Sequence, residues 1–262
     1  MAFGSAPRTE WTTPAGAALR RWMDRDLRRI AAVEDGREYG FGDLAVGAAR
    51  FAKALRASGV GPGVLVCLSH PGNVLHYLLI LGCQAVGAPS VSLAPEECVP
   101  GEPFLARCGF LCAREPPAGW TGGFLPLDQE SVDRIFALRL SGADIDAIAR
   151  VPDDDETLRF AATSGTTGAR RAVAMTEDGL RWLRVMTALD LGPPGLPWDT
   201  INVYGMTLRS AMAEAEAAWR RGARVVHATM DGLPAAMRAL GRFRLTLLAR
   251  DAASASAIAD RR

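Results

Sequence analysis

Lysine is almost missing from this chain: of thirty basic residues only Lys53 is a lysine and the rest are arginines, so hardly any primary amine is available for catalysis. Lys53 itself falls inside an apolar helical pattern and reads as a solvated surface residue. Histidine is scarce too. His70, His76 and His227 are widely separated, and no set of nucleophile, base and orienting group can be assembled from them. The five cysteines, at 67, 83, 98, 108 and 112, are odd in number and scattered, which suits reduced thiols better than a disulfide framework. Cys108 and Cys112 lack a matching second pair, and the acidic run Asp153-Asp154-Asp155-Glu156 reads as a solvated linker, so no metal site is expected.

Neither sign of charge is in excess. A formal net charge of +1 over 262 residues excludes a surface that grips nucleic acid by counterion release. The longest apolar stretch, 74–86, is broken by His76, Tyr77 and Gln84 and falls short of the roughly 20 residues that cross a bilayer. The first residues carry no basic segment followed by a hydrophobic one, so a secretory signal is not expected and the chain reads as cytoplasmic. What is abundant is core-forming material: 49% of residues are apolar against 23% charged, enough to bury a sizeable interior.

Period and punctuation organise this material. Thr13-Pro14 offers a helix start, with the threonine hydroxyl as cap, and Leu19, Trp22, Met23, Leu27 and Ile30 follow at helical spacing as one buried stripe, with Trp22 read as a packing residue. Asp35-Gly36 predicts a tight turn between strands at 31–33 and 38–39. Leu44, Ala48, Phe51, Ala52 and Leu55 predict a helix stopped at Gly59, and a strand at 65–68 follows. A helix to about Val86, ended by Gly87, and a strand at 89–93 complete a parallel crossover unit. Further on, strands are expected at 110–112, to Thr163, at 200–203, 223–226 and 245–248. Helices are expected at 131–138, 144–149, 176–189, 206–220 and 232–240, with Trp182 packing on the third of these, and a last short helix closes the chain. Apolar strands alternating with helices predict an α/β fold of mostly parallel sheets with helices on both faces. The expected division is 1–157 and 158–262.

One segment stands out chemically. Thr163-Ser164-Gly165-Thr166-Thr167-Gly168 follows a predicted strand and precedes a predicted helix. Its two glycines free the backbone to curl, its hydroxyls donate, and successive amides of such a turn can point inward as an anion nest, for which phosphate is the natural guest. Arg170 and Arg171 add permanent charge beside it.

This hexapeptide, with the basic residue after it, resembles the phosphate-binding signature of the adenylate-forming superfamily, which includes acyl-CoA synthetases, nonribosomal peptide synthetase adenylation domains and luciferases. Tyr39-Gly-Phe-Gly-Asp-Leu44, the run 54–63, the run from Pro71 to Pro95, and 217–226 with 243–248 resemble the elements that flank it in that superfamily. The resemblance implies the N-terminal subdomains of such an enzyme, which binds ATP with Mg2+, lets a carboxylic acid attack the α-phosphorus and releases pyrophosphate. It implies that Thr163, Ser164, Gly165, Thr166, Thr167 and Gly168 wrap the β- and γ-phosphates, with Arg171 where relatives usually carry lysine.

Two departures accompany it. Relatives continue the loop with proline, lysine and glycine, whereas this chain has Arg170, Arg171 and Ala172, and around Tyr204 there is no histidine to shape an acyl pocket. The resemblance also implies groups with no counterpart here: an adenine-contacting strand, a glutamate for magnesium, an aspartate for the ribose, and a small C-terminal domain with its catalytic lysine. The expectation is therefore a truncated relative whose catalytic residues are not identifiable. Its incomplete sheet would be covered by a protein partner or by self-association.

Overall fold

The computed structural model describes residues 9, 12–162, 172–190, 199–203, 205, 209–229, 231–240 and 243–246. Helix α1 (Ala15–Asp26) buries Ala15, Ala18 and Leu19 along one stripe, but it is shorter than the sequence predicts: Leu27, just past its end, is exposed, and Ile30 opens a strand instead. Pro14 stands at its N-cap with no side-chain cap, and the Thr13 hydroxyl, expected to fill that role, donates instead to the Thr9 carbonyl at 3.2 Å. Strands β1 (Ile30–Glu34) and β2 (Arg37–Gly40) pair antiparallel through the Asp35-Gly36 turn, whose residues take φ of +50° and +76°, as the sequence predicts. Helix α2 (Phe41–Ala57) starts with the Asp43 carboxylate accepting from the Gly40 N–H at 2.7 Å.

Strand β3 (Val66–Leu68), helix α3 (Asn73–Val86) and strand β4 (Ser90–Ser92) form the predicted parallel unit, and Gly87 closes α3 in the left-handed region at φ +73°. Strands β5 (Phe110–Ala113) and β6 (Gly123–Pro126), helices α4 (Gln129–Phe136) and α5 (Gly142–Asp146), and strand β7 (Thr157–Ala162) follow. Strand β8 (Ala172–Thr176) runs straight into helix α6 (Glu177–Asp190). The described chain ends with β9 (Asp199–Asn202), α7 (Arg209–Arg220), β10 (Val225–His227), α8 (Leu233–Leu240) and β11 (Phe243–Thr246). The expected last short helix lies outside the described residues.

Two sheets result. One has the order β11-β9-β10-β1-β2, the other β6-β5-β3-β4-β7-β8, and both are parallel except at β1–β2 and β7–β8. Each draws strands from both sides of residue 157: β1 pairs with β10, and β4 with β7. The larger sheet alternates cleanly. Val66, Leu68, Phe110 and Cys112 face the main core with α2 and α3, while Cys67, Val91, Leu111 and Ala113 face a second cluster with Leu93 and Leu105.

The hydroxyl-rich segment 163–171 was expected between a strand and a helix. It joins two antiparallel strands instead, because 172–176 pairs with β7 before α6 begins. Three residues of β8, Ala172, Val173 and Ala174, are exposed at the sheet edge, so no buried stripe announces the strand in sequence. Strand β6 was likewise unforeseen. It lies at the opposite edge with no fully buried residue.

Candidate functional site at the carboxyl edge

Parallel pairing fixes where the chemistry can gather. Because β7 runs parallel to β4, the end of β7 at Ala162, from which segment 163–171 departs, lies on the same sheet edge as the carboxyl ends of β3, β4, β5 and β6. In open parallel sheets this edge is where ligands bind. A cleft of about 900 Å³ opens along it, lined by residues that end or directly follow those strands, among them Ser69, Ala113, Arg114 and Leu127, with Cys98 from beyond β4. Segment 163–171 starts and ends at Ala162 and Ala172, which are register partners.

Glu34, the last residue of β1, brings the edge of the smaller sheet to the same place. Its carboxylate accepts from the N–H groups of Asn73 and Val74 at 2.5 and 3.1 Å, capping the positive end of α3 from a distant strand. His70 lies beside this junction. Gly72 N–H donates to its Nδ1 at 3.0 Å, which leaves Nε2 as the protonated nitrogen of the neutral ring, and burial pushes its pKa down.

Behind the cleft, a polar relay crosses the larger sheet. Arg159 of β7 donates to the Ser92 hydroxyl at 2.7 Å, and Ser92 lies 2.8 Å from His76 Nε2. His76 Nδ1 lies 3.2 Å from the His70 carbonyl, and a carbonyl can only accept. The imidazole therefore holds its proton on Nδ1, and Nε2 accepts from Ser92. Burial, with Arg159 adding to it, drives the His76 pKa down to about 3, so the ring is neutral. His227, at the end of β10 and in register with Glu34, is also buried and neutral, its pKa lowered by burial to about 4.

The second arm of the β7–β8 hairpin is held through α6. Glu177 accepts from Arg184 at 2.5 and 3.1 Å with both partners buried, and Arg181 donates to Asp154 at 2.7 Å. Glu156, just before β7, accepts from Arg150 at 2.8 and 2.5 Å. Two members of the acidic run are thus ion-pair anchors of the hairpin rather than a free linker.

Of the residues expected at the site, Thr163, Ser164, Gly165, Thr166, Thr167, Gly168, Arg170 and Arg171 lie outside the described residues, as does Tyr204. Lys53 is a surface residue paired with Asp144 at 3.0 Å. Among the described residues no group of three or more His, Cys, Asp or Glu side chains is gathered to hold a metal ion, so none is assigned to magnesium, and no described helix is long and apolar enough to cross a membrane. Arg159, Ser92 and Glu34 gave no signal in sequence. Each acts across a strand pairing or a sheet-to-helix contact that only the topology creates.

The fold is that of the N-terminal subdomains of adenylate-forming enzymes. The o-succinylbenzoate CoA synthetase MenE of Bacillus subtilis, solved with its acyl-adenylate intermediate, superposes with a TM-score of 0.75 at 16% identity over 94% of this chain and 50% of its own. VinN superposes with a TM-score of 0.72 at 14% identity over 99% of this chain and 66% of its own. The N-terminal subdomain of Klebsiella oxytoca NpsA, in complex with 3-hydroxybenzoyl-AMSN, gives 0.69 at 17% identity over 88% and 59%. The chain thus spans about half to two thirds of the length of these neighbours. No family profile and no curated protein matches its sequence.

Proposed function

We propose that this chain is the nucleotide-binding portion of an ATP-dependent carboxylate-activating ligase that forms an acyl-adenylate and draws on a partner protein for turnover. The observation that carries this reading is positional. The segment that resembles the superfamily's phosphate loop departs from the carboxyl end of β7, on the edge where the cleft opens, in a fold shared with enzymes captured on acyl-adenylates or their analogues.

In the reaction, a carboxylate oxygen of the substrate bonds to the α-phosphorus of ATP, and the bond from that phosphorus to the pyrophosphate oxygen breaks. Thr163, Ser164, Gly165, Thr166, Thr167 and Gly168 would offer backbone and hydroxyl donors to the departing pyrophosphate, and Arg171 would offset its growing charge. Magnesium, when bound with ATP, supplies further charge neutralisation on the phosphates. The exposed edge strand β8, with Val173 half exposed, supports a covering partner, since an open apolar edge invites pairing.

Pyrophosphate exchange, run with a panel of carboxylic acids on the chain alone and with candidate partners, tests turnover. Nucleotide binding is read separately from the ATP-dependent shift in melting temperature. The double variant Arg171→Ala with Gly165→Val should weaken ATP binding about 10- to 100-fold, the loss of one or two charge-assisted hydrogen bonds. Unchanged ATP affinity would remove the loop assignment. Binding that persists without exchange under any pairing would favour a non-catalytic nucleotide-binding subunit.

A further inference from the structure

The cleft at the carboxyl edge does not match the ligand that segment 163–171 would hold. Its lining comes from the β1–β2 hairpin, the residues that follow β3, β4, β5 and β6, and helices α3 and α4, and no described residue of β7, β8 or α6 contributes to it. β7 lies two strands from β3 and three from β5, roughly 10 and 14 Å at the usual spacing of neighbouring strands. Charge separates the two places further. Glu34, Asp35, Glu115 and Asp133 line the cleft against Arg37 and Arg114, an excess of acid that opposes a triphosphate.

Inside, the cleft is largely apolar: Val74, Leu75 and Leu78 of α3 and Val132 and Phe136 of α4 line it. Two of its acids are already committed, since Glu34 accepts from the α3 amides at 2.5 and 3.1 Å and Asp133 accepts from Gln129 at 2.8 Å. The other four charges, Asp35, Arg37, Arg114 and Glu115, are exposed at the rim and cancel. One donor remains. His70 and Arg114 each stand two residues beyond the register partners Leu68 and Cys112, and the Ser69 N–H carries that ladder on to the Cys112 carbonyl at 2.8 Å. Gly72 N–H occupies His70 Nδ1 at 3.0 Å, so Nε2 holds the proton, and Nε2–H has no hydrogen-bond partner among the described residues. Burial lowers the pKa of this half-buried ring and keeps it neutral. A neutral N–H in an apolar chamber suits an uncharged acceptor, because an anion would sit among four carboxylates and a cation would meet a donor.

We propose that this cleft binds an uncharged, apolar molecule with a carbonyl group, a ketone, ester or amide, whose oxygen accepts from His70 Nε2–H while its hydrocarbon body lies against α3 and α4. The site goes beyond the ligase reading and stands without it. Under that reading the nucleotide phosphates belong at the end of β7, and the cleft is left for a second molecule.

The test measures binding to the whole chain by equilibrium dialysis with three probes of one carbon skeleton: butyrophenone, butylbenzene and 4-phenylbutyrate. Butyrophenone should bind roughly 3- to 10-fold tighter than butylbenzene, the worth of one hydrogen bond, and 4-phenylbutyrate should bind most weakly. His70→Phe, which keeps a ring and removes the N–H, should bring the ketone down to the hydrocarbon and leave butylbenzene unchanged, whereas Val132→Trp should weaken both. In nitrogen-15 spectra the Nε2–H of His70, one of three imidazoles in the chain, should shift with butyrophenone and not with butylbenzene, a readout that needs no variant to fold. Saturating ATP should leave butyrophenone binding unchanged. A chain that binds no ATP would undo the ligase reading and leave this result intact. Equal binding of ketone and hydrocarbon, tightest binding of the carboxylate, displacement by ATP, or no saturable binding of any probe would each overturn the proposal.

Discussion

His76 and His227 show what burial does to a single titratable group. Both are more than nine-tenths buried, and neutralisation is the physical solution to placing an imidazole where an imidazolium would be desolvated. His76 satisfies both nitrogens through Ser92 and the His70 carbonyl, while neither nitrogen of His227 has a hydrogen-bond partner among the described residues. The folded pKa values lie at about 3 and about 4, below the unfolded value, so the unfolded chain binds these protons first as pH falls. The stability contributed by the two rings is complete above the unfolded pKa of about 6.5 and declines from there toward the folded values. Urea unfolding should show a loss of about 2 kcal/mol per histidine between pH 7 and pH 5. His227→Leu should reduce that slope by about half and raise stability at pH 5, because it removes a buried polar group that bonds to none of the described residues. Sequence reading saw His76 only as an interruption of the apolar stretch 74–86 and as part of no catalytic set. That it forms part of a relay with Arg159 depended on a strand pairing 83 residues away in the chain, invisible to local pattern.

At the scale of elements, helix stops and the tight turn were the most legible features, since each depends on one residue's backbone freedom rather than on distant neighbours. Gly87 ends α3 with φ +73°, and a Cβ there would stand 3.3 Å from Pro62 Cγ. Gly87→Ala should cost about 1–2 kcal/mol, measured as a lower urea midpoint with an unchanged m-value, from left-handed strain at a helix end. Strands at the sheet edges were the least legible. β6 and β8 bury little, so the continuous apolar run that marks β3 or β5 is missing from them. That gap changed the reading of the candidate site: the hydroxyl-rich segment closes a hairpin, and its far end is set by β8 and by the Glu177–Arg184 pair at the start of α6.

For the whole molecule, the junction of the two sheets carries the architecture. Trp219 of α7 donates from its indole N–H to the Ala31 carbonyl of β1 at 2.7 Å, and its ring centre lies 4.5 Å from that of Tyr77 on α3. The Tyr77 hydroxyl donates to Glu216 at 3.2 Å, and Glu216 accepts from Arg220 at 2.7 Å. One buried cluster thereby ties the smaller sheet to the helix that crosses over the larger one. Trp219→Ala should lower stability by about 3–5 kcal/mol in chemical denaturation, with both sheets lost in one transition.

The sequence by itself determined the alternation of helices and buried strands, the β3–α3–β4 crossover, the turn at Asp35-Gly36 and the hydroxyl-rich segment with its arginines. All of these are written in contiguous residues through period, glycine placement and local chemistry. Only the tertiary structure decided that β1 joins β10, that Arg159 meets Ser92, and that Glu34 caps α3. Those partners lie far apart along the chain, and what brings them together is the burial of whole sheet faces, a property that no short window of residues carries.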